Sequence, residues 1–236
     1  MPDIPRLFHF VWVGPHPFPA KDAAWVASWL PRHPDWHAIL WAESPETLGE
    51  HAPKHLDVRP LPPLVNRNLF DDIEKWVPSR AIFAARSDIV RYELIARFGG
   101  VYLDTDVECF QNIDSVLSGV RLFRAEEWGP SYGNWMFGAA PNHPQMWTIV
   151  RELAAHLKSH KAQMNVLEAT GPGYFCRQID RHCDCVIFPH MLFNPLCAYD
   201  DPGQVTHWPA VSLANHRYDG KWYDRTKNKP PQEFTN

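Results

Sequence analysis

A chain of 236 residues with 45% apolar and 21% charged side chains has the composition of a soluble globular protein and the length for one sizeable α/β domain. A net charge of −4 and a pI of about 6.3 leave no electrostatic footprint for a nucleic-acid partner. No run approaches the roughly 20 apolar residues of a membrane span, and residues 7–13 are too short for a signal peptide and are interrupted by His9, so the expectation is a cytoplasmic protein, or a fragment trimmed of its anchor, with peripheral membrane contact left open.

Residues 4–13 (IPRLFHFVWV) are apolar and aromatic and break at Gly14-Pro15, which predicts a first buried strand ending in a turn. Residues 21–30 place Trp25, Val26, Trp29 and Leu30 on one side of a short amphipathic helix, ended by PRHPD. Residues 36–42 (WHAILWA) predict a second strand. Ser44 is placed to cap a helix with Pro45 at its first position. The stretch around Val58, closed by Pro60, Pro62 and Pro63, predicts a loop. A helix is expected over 68–76, and a longer one begins at Ser79 or Arg80. This alternation implies a Rossmann-like, mostly parallel sheet covered by helices.

Beyond residue 106 the chain continues extended over 107–110, with a short helix over 112–117. A strand over 120–125 is followed by Glu126-Glu127, and an apolar run spans 135–140. Residues 143–161 predict a helix with Met146, Ile149, Val150, Leu153 and Leu157 on its core face. Thr170-Gly171-Pro172-Gly173 opens a helix over 174–181, and a Gly-rich loop at a helix N-terminus can hold an anion or a hydroxyl. Residues 186–189 and 191–194 read as short extended pieces. A last extended run, 211–215, delivers Asn215-His216. One domain is expected over 1–227, with a mobile polar tail over 228–236. Cys109, Cys176, Cys183, Cys185 and Cys197 are odd in number in a chain that is not small, which argues for free thiols. Cys183-x-Cys185, with His182 and His190 nearby, matches no standard zinc spacing.

The most informative stretch lies in the middle. From Arg80 to Phe98 there is no Pro or Gly, so the helix runs uninterrupted until Gly99-Gly100 stops it. Val101-Tyr102-Leu103 reads as a buried strand that ends at Asp104 and Asp106. If the strand continues, two side chains two apart point the same way and converge. If the chain turns, one carboxylate can bind a metal directly and the other through water or a phosphate. Hard oxygen ligands with open positions suit Mg2+ or Mn2+ better than Zn2+. Asp88 and Arg91 share a helix face, either to position a polar ligand or as an ordinary solvated ion pair. Trp12 and Gly14 lie at the carboxyl end of the first strand, where ligands bind in open parallel sheets; Trp12 is a core residue or a flat platform for a ligand.

The segment SDIVRYELIARFGGVYLDTDVE resembles the core of the DXD-containing sugar transferases of glycosyltransferase family 32 type, which include the fungal initiating mannosyltransferases. It also resembles the catalytic domains of the large clostridial glucosylating toxins. The shared pattern, Ser-Asp-Ile-x-Arg-Tyr and then Gly-Gly-x-Tyr-x-Asp-x-Asp, is met without a gap over 87–108. The resemblance implies a single GT-A-type domain with the DXD at a strand end. It implies metal-dependent transfer from a UDP- or GDP-sugar to a hydroxyl acceptor, with retention and with Mn2+ or Mg2+ as cofactor. Asp104, Asp106 and His216 are then the metal ligands, and Asp88, Arg91, Asp104 and Asp106 the catalytic set. Trp12, matching the toxins' base-stacking Trp, joins Ser87, Asp88, Arg91, Tyr102, Asp104, Asn134 and Trp222 in donor binding. Thr170-Gly171-Pro172 matches the family's Thr-Gly-Pro, and Trp222 follows His216 at the family spacing. The Ser that usually precedes this Trp is Lys221 here, which can meet a diphosphate as a point charge. The expected acceptor is a glycan or lipid-linked glycan in surface polysaccharide synthesis, with a protein acceptor as the alternative.

Two other readings fit less well. An aspartyl-phosphate hydrolase would need Thr or Val where Glu108 stands, and its motif lies near the N-terminus. A non-catalytic sugar-binding module would not require Asp88, Arg91 and His216 beside the acidic pair.

Overall fold

A computed structural model describes residues 3–127, 133–160, 162–180, 184–196 and 208–218. In chain order the elements are β1 (Leu7–Trp12), α1 (Ala20–Ala27), β2 (His37–Ala42), β3 (Asp57–Pro60), α2 (Arg67–Asp71), α3 (Ile82–Phe98), β4 (Gly100–Leu103), β5 (Val107–Cys109), α4 (Asp114–Leu117), β6 (Leu122–Ala125), β7 (Met136–Ala139), α5 (Pro144–Lys158), α6 (Val166–Ala169), α7 (Pro172–Ile179), β8 (Val186–Phe188), α8 (His190–Phe193) and β9 (Ala214–His216).

Seven strands form one sheet in the order β3-β2-β1-β4-β7-β6-β8. Strand β7 pairs antiparallel with both β4 and β6, and the other pairings are parallel. The expected mostly parallel, helix-flanked α/β sheet is thus what forms. Residue alternation sorts the core onto its two faces. Phe8 and Phe10 of β1 pack with Trp29, Trp36 and Leu40 on one side. Val11, Ile39 and Trp41 pack on the other with Ile89, Tyr92 and Ile95 of α3.

The chain lays down β1, β2 and β3 toward one edge, then crosses back through α3 to place β4 on the other side of β1. The strand order reverses between β1 and β4, which opens a crevice at their carboxyl ends. Trp12 ends β1 and Asp104 follows β4, so both stand at this switch point.

The α3-to-β4 elbow depends on its two glycines. Gly99 and Gly100 have φ of +66° and +90°. A Cβ on Gly99 would lie 2.6 Å from the Pro141 nitrogen, and one on Gly100 2.5 Å from the Leu7 carbonyl oxygen. His9, fully buried under the elbow, donates from Nε2 to the Gly99 carbonyl (2.9 Å) and accepts at Nδ1 from the Trp41 indole (2.9 Å). Burial lowers its pKa to about 4, so it is a neutral imidazole at neutral pH. Gly100→Ala should lose roughly 3 kcal/mol or more of stability, through the positive φ and the overlap together. Urea denaturation measures this, and a loss below about 1 kcal/mol would mean that the elbow relaxes freely.

A second, two-stranded sheet pairs β5 with β9 antiparallel, Val107 opposite His216. This pairing carries the end of the described chain to the DXD turn. Some local expectations are corrected. Residues 57–60, read as loop, form the edge strand β3; its outer Pro60 is tolerated because an edge has no further partner. Of residues 191–194, read as extended, the first three fall in the helical turn α8, entered through Pro189. The helix expected over 68–76 divides into α2 and a 3-10 turn, Ile73–Lys75. Ser44 precedes only a 3-10 turn and makes no side-chain cap. Among the described residues no helix is long and apolar enough to cross a membrane. Cys109, Cys176 and Cys185 are free thiols. Cys183, Cys197, Lys221, Trp222 and the tail 228–236 lie outside the described residues.

Candidate active site

Strand β4 stops at Leu103, and the chain turns through Thr105 and Asp106 rather than continuing extended. The Val107 amide donates to the Asp104 carbonyl (3.3 Å) to close the turn. The Thr105 hydroxyl donates to the buried Asp22 of α1 at 2.6 Å, which fixes the turn from outside. Even so, the two carboxylates converge, and β9 brings His216 to them. Asp104, Asp106 and His216 each offer a ligand atom, all within 4.8 Å of one another. His216 Nε2 lies 3.1 Å from Asp106 Oδ1 and 4.0 Å from Asp104 Oδ2. The imidazole stacks on Trp135, with ring centres 5.2 Å apart, and Tyr218 packs on it at 4.2 Å. Burial alone would lower the His216 pKa, but Asp106, Asp104 and Glu127 outweigh it and raise it.

Behind the turn lies a buried polar cluster. Arg91 Nη1 pairs with Asp104 Oδ1 at 3.0 Å, and the guanidinium stacks 4.4 Å over the Tyr102 ring. Arg91 also donates to the Asn134 carbonyl (3.0 Å) and to the Ser87 hydroxyl (3.0 Å). The Tyr102 hydroxyl donates to Asp104 Oδ1 at 2.6 Å; burial raises its pKa well above the ordinary value, so the phenol keeps its proton. Asp88 lies 3.5 Å from Arg91 Nε and accepts from the Asn134 amide and the Thr170 hydroxyl, both at 2.8 Å. Burial pushes the Asp88 carboxyl up to about 6, against the pull of Arg91 and of these two hydrogen bonds. Burial also raises the Asp104 pKa, opposed by Arg91 and reinforced by Asp106.

The solvated ion pair considered for Asp88 and Arg91 is therefore not what forms, since their side chains are 7% and 8% exposed. Tyr92, one residue after Arg91 on α3, joins the cluster by accepting from Asn134 Nδ2 at 2.8 Å and donating to the Thr170 carbonyl at 2.7 Å. Thr170 faces Asp88 rather than an open anion site. Of the sequence-predicted residues, Ser87, Asp88, Arg91, Tyr102, Asp104, Asp106, Asn134 and His216 thus form one connected group. Trp12 stands apart on β1, half-buried, with its indole donating to the His16 carbonyl (2.8 Å) and its ring edge on Phe18. Trp135, Tyr218 and Glu127 carry no motif spacing and were not singled out from sequence; the one available signal was that Glu127 follows a strand at the same end of the sheet.

Residues 19–123 match the family described as "Glycosyltransferase sugar-binding region containing DXD motif", and the acidic pair at the switch point lies inside that match. Residues 19–123 carry the sugar-binding region of a DXD-type glycosyltransferase. Inositol phosphoceramide mannosyltransferase 2 of Schizosaccharomyces pombe is 28% identical over 177 residues, covering 72% of this chain and 45% of its own length. The initiation-specific alpha-1,6-mannosyltransferase of the same yeast is 24% identical over 281 residues, covering 94% of this chain and 64% of its own. The chain spans about half the length of the curated relatives it matches first. Among solved structures, PaToxG Glycosyltransferase superposes with a TM-score of 0.57 at 17% identity, over 75% of this chain and 69% of that one. That likeness bears on the fold, which is of the GT-A type.

Proposed function

We propose that this domain transfers a hexose from a nucleoside diphosphate sugar to a hydroxyl acceptor, with a divalent cation held by Asp104, Asp106 and His216. The observation that carries the reading is the convergence of these three side chains at the carboxyl end of the sheet, within 4.8 Å. Two carboxylate oxygens and an imidazole nitrogen form a donor set that fits Mn2+ or Mg2+, with the nitrogen favouring Mn2+. A cation there supplies positive charge against the negative charge that grows on the leaving diphosphate.

The chain's own residues do the rest. The Trp12 ring, at the open end of β1, serves as a platform for the base. Tyr102 and Arg91 hold one oxygen of Asp104, which leaves its other oxygen toward the cleft. Asp88 and Arg91 position the donor sugar and phosphate, which lowers the orientational cost of reaction. A carboxylate has about four lone-pair sites, so Asp88 can accept from sugar hydroxyls beyond its bonds to Asn134 and Thr170. The acceptor hydroxyl attacks the anomeric carbon on the leaving-group face. The bond to the diphosphate breaks with its electron pair going to the diphosphate, and the acceptor's proton passes to a diphosphate oxygen, so configuration is retained. The donor is a UDP- or GDP-sugar. The relatives' names favour mannose as the sugar, and the inositol phosphoceramide in the first of them favours a phosphoinositol-type lipid as the acceptor, met by peripheral contact with a membrane surface.

A panel of UDP- and GDP-sugars, incubated with Mn2+ and read by released nucleotide, tests this. Metal-dependent release from one nucleotide class is expected. No release or binding across the panel, with turnover of a simple phosphate ester instead, would return the chain to the hydrolase reading. Trp12→Ala should raise the donor KM about ten-fold or more with a smaller change in kcat, because base stacking is largely uniform binding worth roughly 1–3 kcal/mol. An unchanged KM in the folded variant would make Trp12 a packing residue against Phe18.

A further inference from the structure

Beyond the three candidate ligand side chains, a further carboxylate stands beside the site. Glu127 lies just past the end of β6, with its side chain 22% exposed, and its Oε1 is 4.0 Å from His216 Nδ1. His216 Nδ1 is buried and has no hydrogen-bond partner among the described residues, while Nε2 faces Asp106 and Asp104. The imidazole plane is held by Trp135 and Tyr218. Tyr218 adopts a φ of +51°, which is uncommon for an aromatic side chain. Its hydroxyl hydrogen-bonds to Glu127 and accepts from the Asn194 amide. Ring and carboxylate are thus fixed relative to each other by the same tyrosine.

An imidazole that gives its Nε2 lone pair to a cation carries its proton on Nδ1. That buried N–H then needs an acceptor, and the acceptor it finds sets both the tautomer and the basicity of the ligand. A closure of about 1 Å brings the carboxylate to hydrogen-bond length. We propose that Glu127 is a positioning residue that accepts a hydrogen bond from Nδ1–H of His216 and so holds Nε2 available for a divalent cation. The proposal rests on Asp104, Asp106 and His216 being the metal ligands.

The experiment is a Mn2+ titration of the purified protein, without donor, followed by the EPR signal of free Mn2+. Glu127→Ala should weaken Mn2+ binding about 10–100-fold. Glu127→Gln should recover most of that, because its amide oxygen accepts the same hydrogen bond. Adding Glu127→Ala to His216→Ala should bring no further loss, since the carboxylate acts through the imidazole. Equal losses in the Ala and Gln variants, or additive losses with His216→Ala, would make Glu127 a direct ligand and overturn the proposal. Unchanged Mn2+ affinity in folded Glu127→Ala also overturns it. If Asp106→Ala and His216→Ala leave Mn2+ binding unchanged as well, the metal-site reading fails first. A second readout needs no variant: nitrogen-15 histidine NMR of the Mg2+-loaded protein should show His216 as the Nδ1–H tautomer, and the Nε2–H tautomer would contradict the proposal.

Discussion

Asp106→Ala is expected to lower Mn2+-dependent transfer by about three orders of magnitude or more while the protein stays folded. A cation that offsets leaving-group charge is worth several kcal/mol in the transition state, and each 1.36 kcal/mol is about a factor of ten in rate. Asp106 is the cleaner of the two aspartates to remove. It adds to the charge that disfavours ionised Asp104, so its loss relieves a repulsion, although the ion pair with His216 goes with it. Asp104→Ala should abolish transfer equally but also lower the melting temperature. Asp104 faces the buried guanidinium of Arg91 at 3.0 Å, and its removal costs that guanidinium the nearer of its two carboxylate partners, leaving only Asp88 at 3.5 Å. Transfer assays with and without Mn2+, beside thermal melts, separate these effects. Near-normal rates for Asp106→Ala in both conditions would remove the metal from the mechanism.

The second large effect falls on Asp88. Asp88→Asn should lower turnover strongly, by about ten- to a hundred-fold or more, while free nucleoside diphosphate binds nearly as before. A charge-assisted hydrogen bond to a sugar hydroxyl is worth roughly 1.5–3 kcal/mol, and the bare nucleotide lacks those hydroxyls. The same variant carries a stability signature. The folded-state pKa of Asp88 is raised to about 6 from 3.8, so the stability linked to its proton is full below about 3.8 and is lost as pH rises toward 6. Asparagine mimics the protonated form and does not titrate. The melting temperature of Asp88→Asn relative to the unmodified protein should therefore rise across that window. A purely structural Asp88 would give the reverse pattern, a lower melting temperature with normal turnover.

What was legible in the sequence was local. The Gly99-Gly100 elbow, the strand after it and the acidic pair follow one another in the chain, and each is dictated by backbone sterics or apolar pattern. Strands β1 and β2 were visible for the same reason. His216 was reachable only through the family's order of motifs, since its placement depends on the pairing of β5 with β9 across a hundred residues of chain. The burial of Asp88 and Arg91 was not visible, because an i,i+3 acid and base look the same whether solvated or covered. What covers them, Asn134 and Thr170, comes from distant elements. Strand β3 was missed because prolines usually mark loops, and α8 because a run of three apolar residues, Met191 to Phe193, has no period to read. Glu127 was one acid among many until β6 placed it beside an imidazole.

The most direct test of the central claim is a crystal of the protein grown with Mn2+ and a nucleoside diphosphate, measured at the manganese absorption edge. An anomalous peak bounded by Asp104, Asp106 and His216, in contact with the diphosphate and with the base against Trp12, is the predicted result. Manganese bound elsewhere, or a nucleotide seated away from the end of β4 with these three side chains empty, would contradict it.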